Sequence, residues 1–358
     1  MIRIGQRLVG DGQPCFVLAE GGLNHNGDPA LAEELVRIAA DCHANAVKFQ
    51  KRSIGELLTR QALDRPYLQP NSMGATYGEH RRRLELSEEV WYRLRDLALG
   101  LGLEFLGSAW DRGSADLLEA LEVPAFKTPS AVLTDLGLLE YIARKGHPMI
   151  VSTGMSTLEE VDQAVERILR HTDQLILLQC TSAYPSDFGD VHLRVMDTYR
   201  QRYGVLVGYS GHERGICVTE AAATLGACLV ERHFTKDRTL PGPDHAASLE
   251  PQGLFKLVRD IREIELAMGS PHKQLLEAEV PVRQRLAKSV VAARHIAAGS
   301  ILSAEMLVAK GPGDGIPANH LDQLVGSVAA VDIEADTVLP PDAVRWQPAT
   351  RDGVGTRP

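Results

Sequence analysis

Eight short apolar runs recur along the first three quarters of the chain: "CFVLAE" (15–20), "NAVKFQ" (45–50), "LEFLGS" (103–108), "PAFKT" (124–128), "PMIVST" (148–153), "LILLQC" (175–180), "GVLVGYS" (204–210) and "ACLVERH" (227–233). Runs this short and this rich in β-branched and aromatic residues suit buried strands of a parallel sheet. The stretches between them carry helical periodicity. "DPALAEELVRIAADC" can be capped by Asp28 with Pro29 at its first position, and "STLEEVDQAVERILRH" is opened by Ser156 or Thr157. Eight strand–helix units within roughly 270 residues predict an α/β fold, a closed (β/α)8 TIM barrel over residues 1–272.

Two segments break the alternation. Residues 51–86, "KRSIGELLTRQALDRPYLQPNSMGATYGEHRRRLEL", are too long for an ordinary strand–helix loop and carry Pro66, Pro70 and Gly74, which suggests a lid or substrate loop. After the helix "PQGLFKLVRDIREIELAMGS", residues 273–287 read as an irregular polar linker. Residues 288–347 then form a small β-rich domain with strand runs "SVVAARHI" and "VAAVDI" and a capped helix "SAEML". The tail 348–358, almost without apolar residues, is expected to be disordered.

Composition removes several function classes. An apolar fraction of 44% and a charged fraction of 24% are ordinary for a globular protein, and no apolar run is long enough to span a bilayer. The start shows no basic-then-apolar leader, so a cytoplasmic protein without membrane association is expected. A net charge of −9 argues against nucleic acid as a partner, although "GEHRRRLE" is a local basic cluster in which Arg81, Arg82 and Arg83 form either a solvated helix face or an anion clamp. The five cysteines, Cys15, Cys42, Cys180, Cys217 and Cys228, show no C-x-x-C pair and read as buried reduced thiols.

In such a barrel the chemistry sits at the carboxyl ends of the strands. There the sequence places Glu20, with Asn24 and His25 beyond it, then Lys48 and Gln50, Ser108 and Asp111, Lys127 and Ser130, and Ser152 and Thr153. The later strands add Gln179, Thr181, Ser182 and Tyr184, then Ser210 and His212, and finally Glu231 and His233. Lys48 and Lys127 are embedded in apolar strands, where an ammonium is stable only against an anion. With the serine hydroxyls of residues 108, 130, 152 and 210 they suit a phosphorylated carboxylate. His212 and His233, on adjacent strand ends, can meet one divalent ion or serve as structural imidazoles. Glu20 and Glu231 are placed for acid or base work, and Asp244 and His245 in "GPDHAAS" for substrate hydroxyls. Arg232, between Glu231 and His233, points the other way by strand alternation and is expected to pair in the helix layer.

These residues resemble a family, the sialic acid synthases. "AEGGLNHNGD", "AVKFQK", "FKTPS", "IVSTGMST", "LQCTSAYP", "GYSGHERG", "ERHFTKD" and "GPDHAASLEP" are similar to its motifs in its order. "KSVVAARHIAAGSILSAEML" with "LVGSVAAVDIEADTVL" resembles the antifreeze-like (SAF) domain that ends these enzymes. "RPYLQPNSMGATYGEHRRRLELS" and "GSPHKQLL" draw it toward the animal-type members. The resemblance implies a transferase that condenses phosphoenolpyruvate with N-acetylmannosamine, or its 6-phosphate, to give N-acetylneuraminate or its 9-phosphate plus phosphate. It implies manganese or magnesium on His212 and His233, and phosphoenolpyruvate cradled by Lys48, Ser108, Lys127, Ser130, Ser152, Ser182 and Ser210. Gln50, Tyr184 and Asp244 would bind the sugar, Glu20 would activate water with Glu231 as its rival, and a domain-swapped homodimer is expected.

The chain departs from that pattern at four places. Gly22 stands where a branched residue is usual; "PSAV" (129–132) replaces Gly-Ser-Gly-acid; "SAWD" brings Trp110 into an aromatic place; Gly311 lacks the arginine of bacterial members. The lost acid motivates two alternatives: the same chemistry on a legionaminate- or pseudaminate-type precursor, or a non-catalytic sugar- or phosphate-binding paralogue.

Overall fold

A computed structural model describes residues 1–68 and 72–347. Pro70 of the insertion and the tail 348–358 lie outside the described residues. The chain divides into two compact units, the first Met1–Gly269 and the second beginning at Ser270.

In the first unit, strands β1 (Ile2–Ile4) and β2 (Arg7–Val9) form an antiparallel hairpin that the strand pattern of the sequence did not announce. The barrel strands follow: β3 (Phe16–Gly22), β4 (Ala46–Lys51), β5 (Glu104–Ala109), β6 (Phe126–Thr128), β7 (Met149–Ser152), β8 (Leu175–Cys180), β9 (Leu206–Gly211) and β10 (Leu229–His233). All eight pair in parallel and in order, and β10 closes on β3 with Leu229 opposite Phe16 and His233 opposite Glu20. Each lies on one of the apolar runs read from the sequence.

The inward face explains where the chemistry begins. Ile2, Ile4 and Val9 of the hairpin pack with Leu18, Ala46, Leu106, Ala125, Ile150, Leu178 and Leu229 into a cluster that fills the lower barrel. Side chains alternate along a strand, so the next inward position is two residues on. Those positions are Glu20, Lys48, Ser108, Lys127, Ser152, Cys180 and Glu231. One face of the sheet thus changes from hydrocarbon to charge within a single pleat. The opposite face, with Val17, Val47, Phe49, Phe105, Val151, Leu177 and Val230, packs on the surrounding helices in a larger apolar cluster.

The helix ends follow the local chemistry of the sequence. Asp28 accepts from the amide of Ala30 at the start of Pro29–Asp41, and Thr157 forms a reciprocal capping box with Glu160 before Leu158–Leu169. The insertion folds into short helices at Ile54–Leu57, Arg60–Leu63 and Tyr77–Arg83.

The second unit has its own core of Val290, Ile296, Leu302, Ile316, Leu324, Ile333 and Leu339. Its antiparallel pairs are β11 (Ser289–Ala292) with β12 (Leu307–Lys310) and β13 (Val328–Ala329) with β14 (Val344–Arg345). Two expectations are corrected here. The segment 273–287 is not irregular, since Val280–Leu286 is helical with Pro281 inside its first turn. The "SAEML" helix is a single 3-10 turn at Ala304–Met306, because Ser303 makes no capping bond and strand β12 begins at Leu307. Among the described residues no helix is long and apolar enough to cross a membrane. All five cysteines are free, but Cys217 is exposed rather than buried, at the start of a helix on the barrel surface.

Candidate active site

At the carboxyl end of the barrel the strands surround a cavity of about 280 Å³. The residues that the family resemblance singles out for substrate, base or metal work line it: Glu20, Lys48, Gln50, Ser108, Lys127 and Ser130 on one side, and Ser152, Ser182, Tyr184, Ser210, His212, Glu231, His233 and Asp244 around the rest.

The two lysines are fully buried, yet neither lacks an anion within the protein. Lys48 forms an ion pair with Glu20, donates to Ser108 Oγ at 2.7 Å, and lies 3.8 Å from Glu231 Oε1. Lys127 donates to Ser152 Oγ at 2.7 Å and to the Thr128 carbonyl at 3.2 Å, with Glu231 Oε2 3.7 Å away. Two ammonium groups and two carboxylates therefore balance inside the low-dielectric mouth, ringed by hydroxyls.

Burial tends to raise the Glu231 carboxyl. The surrounding positive groups, Lys127 first and then Lys48 and the histidines, outweigh it and hold Glu231 below the usual carboxylate range. Burial lowers Lys127, with Glu231 opposing. Neither Glu231 Oε2 nor Glu20 Oε2 has a hydrogen-bond donor among the described residues, but Glu20 Oε1 accepts from Gln50 at 2.8 Å and its Oε2 is in close ion pair with Lys48, whereas the lysines stand 3.7–3.8 Å from Glu231.

His212 and His233 meet with ring centroids 5.4 Å apart, and Tyr184 lies against His212 at 4.1 Å. His212 Nδ1 donates to the Thr181 carbonyl at 2.7 Å, which leaves Nε2 as the basic nitrogen. Burial tends to lower His212, but Cys180, the Thr181 carbonyl and Glu231 outweigh it and raise its pKa. His233 is pushed down, by burial first, against the pull of Asp244 and Glu20. Its Nδ1 is buried without a hydrogen-bond partner and lies 3.8 Å from Asp244 Oδ2. An orphaned imidazole nitrogen beside a second free imidazole nitrogen offers two donors of the kind a divalent cation takes, with its other positions left to substrate or water. Among the described residues no cluster of three or more His, Cys, Asp or Glu forms a larger ligand set.

Two glycines shape this mouth. Gly22 has φ +54°, and a Cβ there would stand 3.1 Å from both His233 and Asp244 Oδ2, so the departure at this position makes room for that pair. Gly154 donates its amide to Ser130 Oγ at 3.0 Å, and a Cβ would lie 2.8 Å from that oxygen and collide with Ser182.

Other strand-end residues serve the frame instead. Asn24 donates to the Phe234 carbonyl and Ser248 Oγ, both at 2.8 Å, and Asp111 caps the helix Arg112–Ala120 through Ser114. Gln179 donates to the Val191 carbonyl, Thr153 to the Leu178 carbonyl and Thr181 to the Asp190 carbonyl. His245 is corrected as a hydroxyl binder, because it is buried against Thr235 Oγ1 at 2.6 Å and does not line the mouth. Of the arginine run only Arg81 lines the mouth, while Arg82 and Arg83 are exposed. Arg52, Tyr67, His80, Trp110 and Cys180 also line it and were not singled out as site residues. For Arg52 the available signal was a basic residue directly after a strand whose inward positions already carry Lys48 and Gln50.

His25 is buried behind the site, and its Nδ1 accepts from the Gly27 amide at 3.0 Å. Burial first, then Arg52, pushes its pKa down to about 4 from 6.5. The unfolded chain therefore takes up the proton first as pH falls. This contribution is complete above pH 6.5 and is lost toward pH 4, at most about 3 kcal/mol. The urea midpoint is expected to fall across that window, and more shallowly in His25→Asn, whose amide oxygen can keep the Gly27 bond; an equal slope in the variant would show that His25 is not a source.

Comparison with known proteins places these features in a family. Residues 35–273 match the NeuB family and residues 287–345 a SAF domain. The chain is 42% identical over 335 residues to N-acetylneuraminate-9-phosphate synthase of Homo sapiens, covering 93% of each chain. It is 39% identical to N,N'-diacetyllegionaminic acid synthase of Legionella pneumophila, covering 94% of this chain and 96% of the relative. Among solved structures, that of N-acetylneuraminic acid (sialic acid) synthetase from Leptospira borgpetersenii matches with TM-score 0.69 at 30% identity, over 80% of this chain and 96% of that one. On the family match, these identities and the furnished eight-stranded barrel, the chain belongs to the NeuB family, the sialic acid synthase group, with a SAF domain after the barrel.

Proposed function

We propose that the mouth condenses phosphoenolpyruvate with the open-chain form of an N-acylated amino sugar, N-acetylmannosamine or its 6-phosphate, to give a sialic acid or its 9-phosphate and inorganic phosphate. The observation that carries this reading is the paired floor, in which Lys48 and Lys127 are buried with Glu20 and Glu231 under a ring of serine hydroxyls. A substrate bearing both carboxylate and phosphate takes over those ammonium and hydroxyl donors, preorganised for the charge that moves during reaction. Ser130, held by the Gly154 amide, and Ser182 add neutral donors at the same wall.

C3 of phosphoenolpyruvate attacks the aldehyde carbon, using the C2–C3 π electrons to form the new C–C bond, while the aldehyde oxygen takes a proton from solvent. Water then adds to the cationic C2 and gives one proton to a carboxylate, which returns it to solvent. The resulting tetrahedral carbon passes its hydroxyl proton to the phosphate oxygen as the C–O bond to phosphate breaks, releasing phosphate and leaving a 2-keto acid. Glu231 is favoured over Glu20 as the proton acceptor, since it is held ionised with its lysines 3.7–3.8 Å away, while Glu20 is committed to a close ion pair with Lys48 and to Gln50. Gln50, Tyr184 and Asp244 orient the sugar. His212 and His233 would hold a divalent ion, manganese or magnesium, which supplies Lewis acidity at the aldehyde oxygen when bound.

Kinship does not choose the acceptor, because relatives of near-equal identity are named for N-acetylneuraminate 9-phosphate and for diacetyllegionaminate. Pro129 and Ala131 after β6 and Met155 after β7 give the wall there an apolar lining, which favours an acceptor whose acyl groups face it. Phosphate release is expected only when phosphoenolpyruvate and an acceptor from a panel of N-acylated hexosamines are both present, with mass detection of the joined product. Release without an acceptor, or binding of both ligands without release across several divalent metals, would sink the reading in favour of a non-catalytic paralogue. His233→Ala and chelation are each expected to abolish release; full rates in chelator would remove the ion from the scheme.

A further inference from the structure

One buried charge is left over by this scheme. Arg52 follows β4 directly, is 3% exposed and lines the mouth. Its guanidinium lies over the Trp110 ring, 4.1 Å from the centroid, and one nitrogen donates to Gln50 Oε1. Glu85 Oε1 stands 3.9 Å from Nη1, an ion pair beyond hydrogen-bond reach, while Oε2 accepts from Lys51 at 3.2 Å and from the Arg52 amide at 3.3 Å, so one carboxylate faces two cations. Nε and Nη1 have no hydrogen-bond partner among the described residues. Arg81, from the insertion helix Tyr77–Arg83, lines the same cavity with its guanidinium donating to the Tyr77 hydroxyl.

Two cations facing one volume repel. Burial first, and then Arg81, brings Arg52 down to about 10. A buried guanidinium with idle donors and a cationic neighbour is destabilising unless an anion completes it. The floor already balances its own charges, Lys48 and Lys127 against Glu20 and Glu231, so it cannot supply that anion. Arg52 also stands four residues beyond Lys48, about 13 Å of extended chain toward solvent. The mouth therefore holds two separate places for negative charge.

We propose that Arg52, seated on Trp110, together with Arg81 binds an anionic group of the acceptor, a phosphate monoester or a carboxylate at the end of the aldose remote from its aldehyde. This rests on reading the mouth as a phosphoenolpyruvate–aldose site. A planar fork with free donors pairs two oxygens at once, and the indole face fixes its plane. The insertion, through Arg81, then has a direct part in choosing the acceptor.

The test follows phosphate release with phosphoenolpyruvate and three acceptors, N-acetylmannosamine, its 6-phosphate and the corresponding 6-carboxylate, and follows binding of the same sugars alone by calorimetry. The unaltered chain is expected to prefer one anionic acceptor by about 100-fold or more in kcat/KM. Arg52→Gln should reduce that preference at least tenfold, chiefly through KM, and Arg52→Lys should recover part of it. Added salt should raise KM for the anionic acceptor and leave that for the neutral one unchanged. Equal use of neutral and anionic acceptors, or an unchanged preference in Arg52→Gln, overturns the proposal. If no acceptor releases phosphate, the condensing reading falls while calorimetry still decides: anionic sugar bound at least tenfold more weakly by Arg52→Gln upholds the site, and equal binding overturns it. Arg81→Gln, at a half-buried position of the insertion helix, gives the same comparisons should Arg52→Gln not fold.

Discussion

Arg232→Met is expected to lower the stability of the barrel unit by about 3–5 kcal/mol, read as a fall in the urea midpoint, because it strands a buried carboxylate. Arg232 points outward from β10, where its guanidinium donates to Glu213 Oε1 and Thr219 Oγ1, both at 2.7 Å, to the Gly215 carbonyl at 2.9 Å and to the Glu213 carbonyl at 2.7 Å. Glu213 is fully buried and also accepts from the Tyr209 hydroxyl at 2.7 Å. With the cation gone, hydroxyls alone face a charge that water does not reach. The double variant Arg232→Met with Glu213→Gln should recover most of the loss, since the charge leaves with its partner. A single-variant loss under about 1 kcal/mol would mean that Glu213 is neutralised without Arg232, and the pair would not be the strut it is taken to be.

Lys127→Met is the corresponding change inside the mouth, where the expected loss is in catalysis. Phosphate release should fall about 10²–10³-fold in kcat/KM, the usual effect of removing one preorganised charge stabiliser. A second readout separates this from a packing fault. Lys127 is the leading group that holds Glu231 below the ordinary carboxylate range. Without it the Glu231 carboxyl rises, so the acidic limb of the residual pH profile should move to higher pH. A large rate loss with an unmoved limb would assign the working base elsewhere, with Glu20 the next to test by Glu20→Gln.

The barrel was legible because its strands are both short and apolar on both faces, a pattern that few other folds use eight times in succession. All eight runs hold the strands, and in six of them the closing residue lines the mouth, while Thr128 and Thr153 close the other two and leave the mouth to Lys127 and Ser152. The sequence was less informative where a residue's role depends on what lies across space. Lys48 and Lys127 read as lacking an anion, but Glu20 and Glu231, on other strands, provide one. Asn24, Asp111, Gln179 and His245 look like mouth residues from their positions, yet each is turned into the frame by a backbone or hydroxyl partner far away in the chain or on a neighbouring turn. The β1–β2 hairpin went unseen because strands of three residues carry too little alternation to register. Arg52 went unseen because its partner Trp110 lies on the loop after a different strand.

The closure of β10 on β3 has a consequence for biosynthesis. Glu20 and His233 become neighbours only when the last strand pairs with the first. At about 5–20 residues per second, the ribosome delivers His233 on the order of 10–40 s after Glu20. Until then the growing sheet has two open edges and a half-filled interior, Phe16 and Leu18 among its uncovered residues. The mouth is therefore complete only after β10 has been made and has closed on β3, a delay longer than most small domains need to fold.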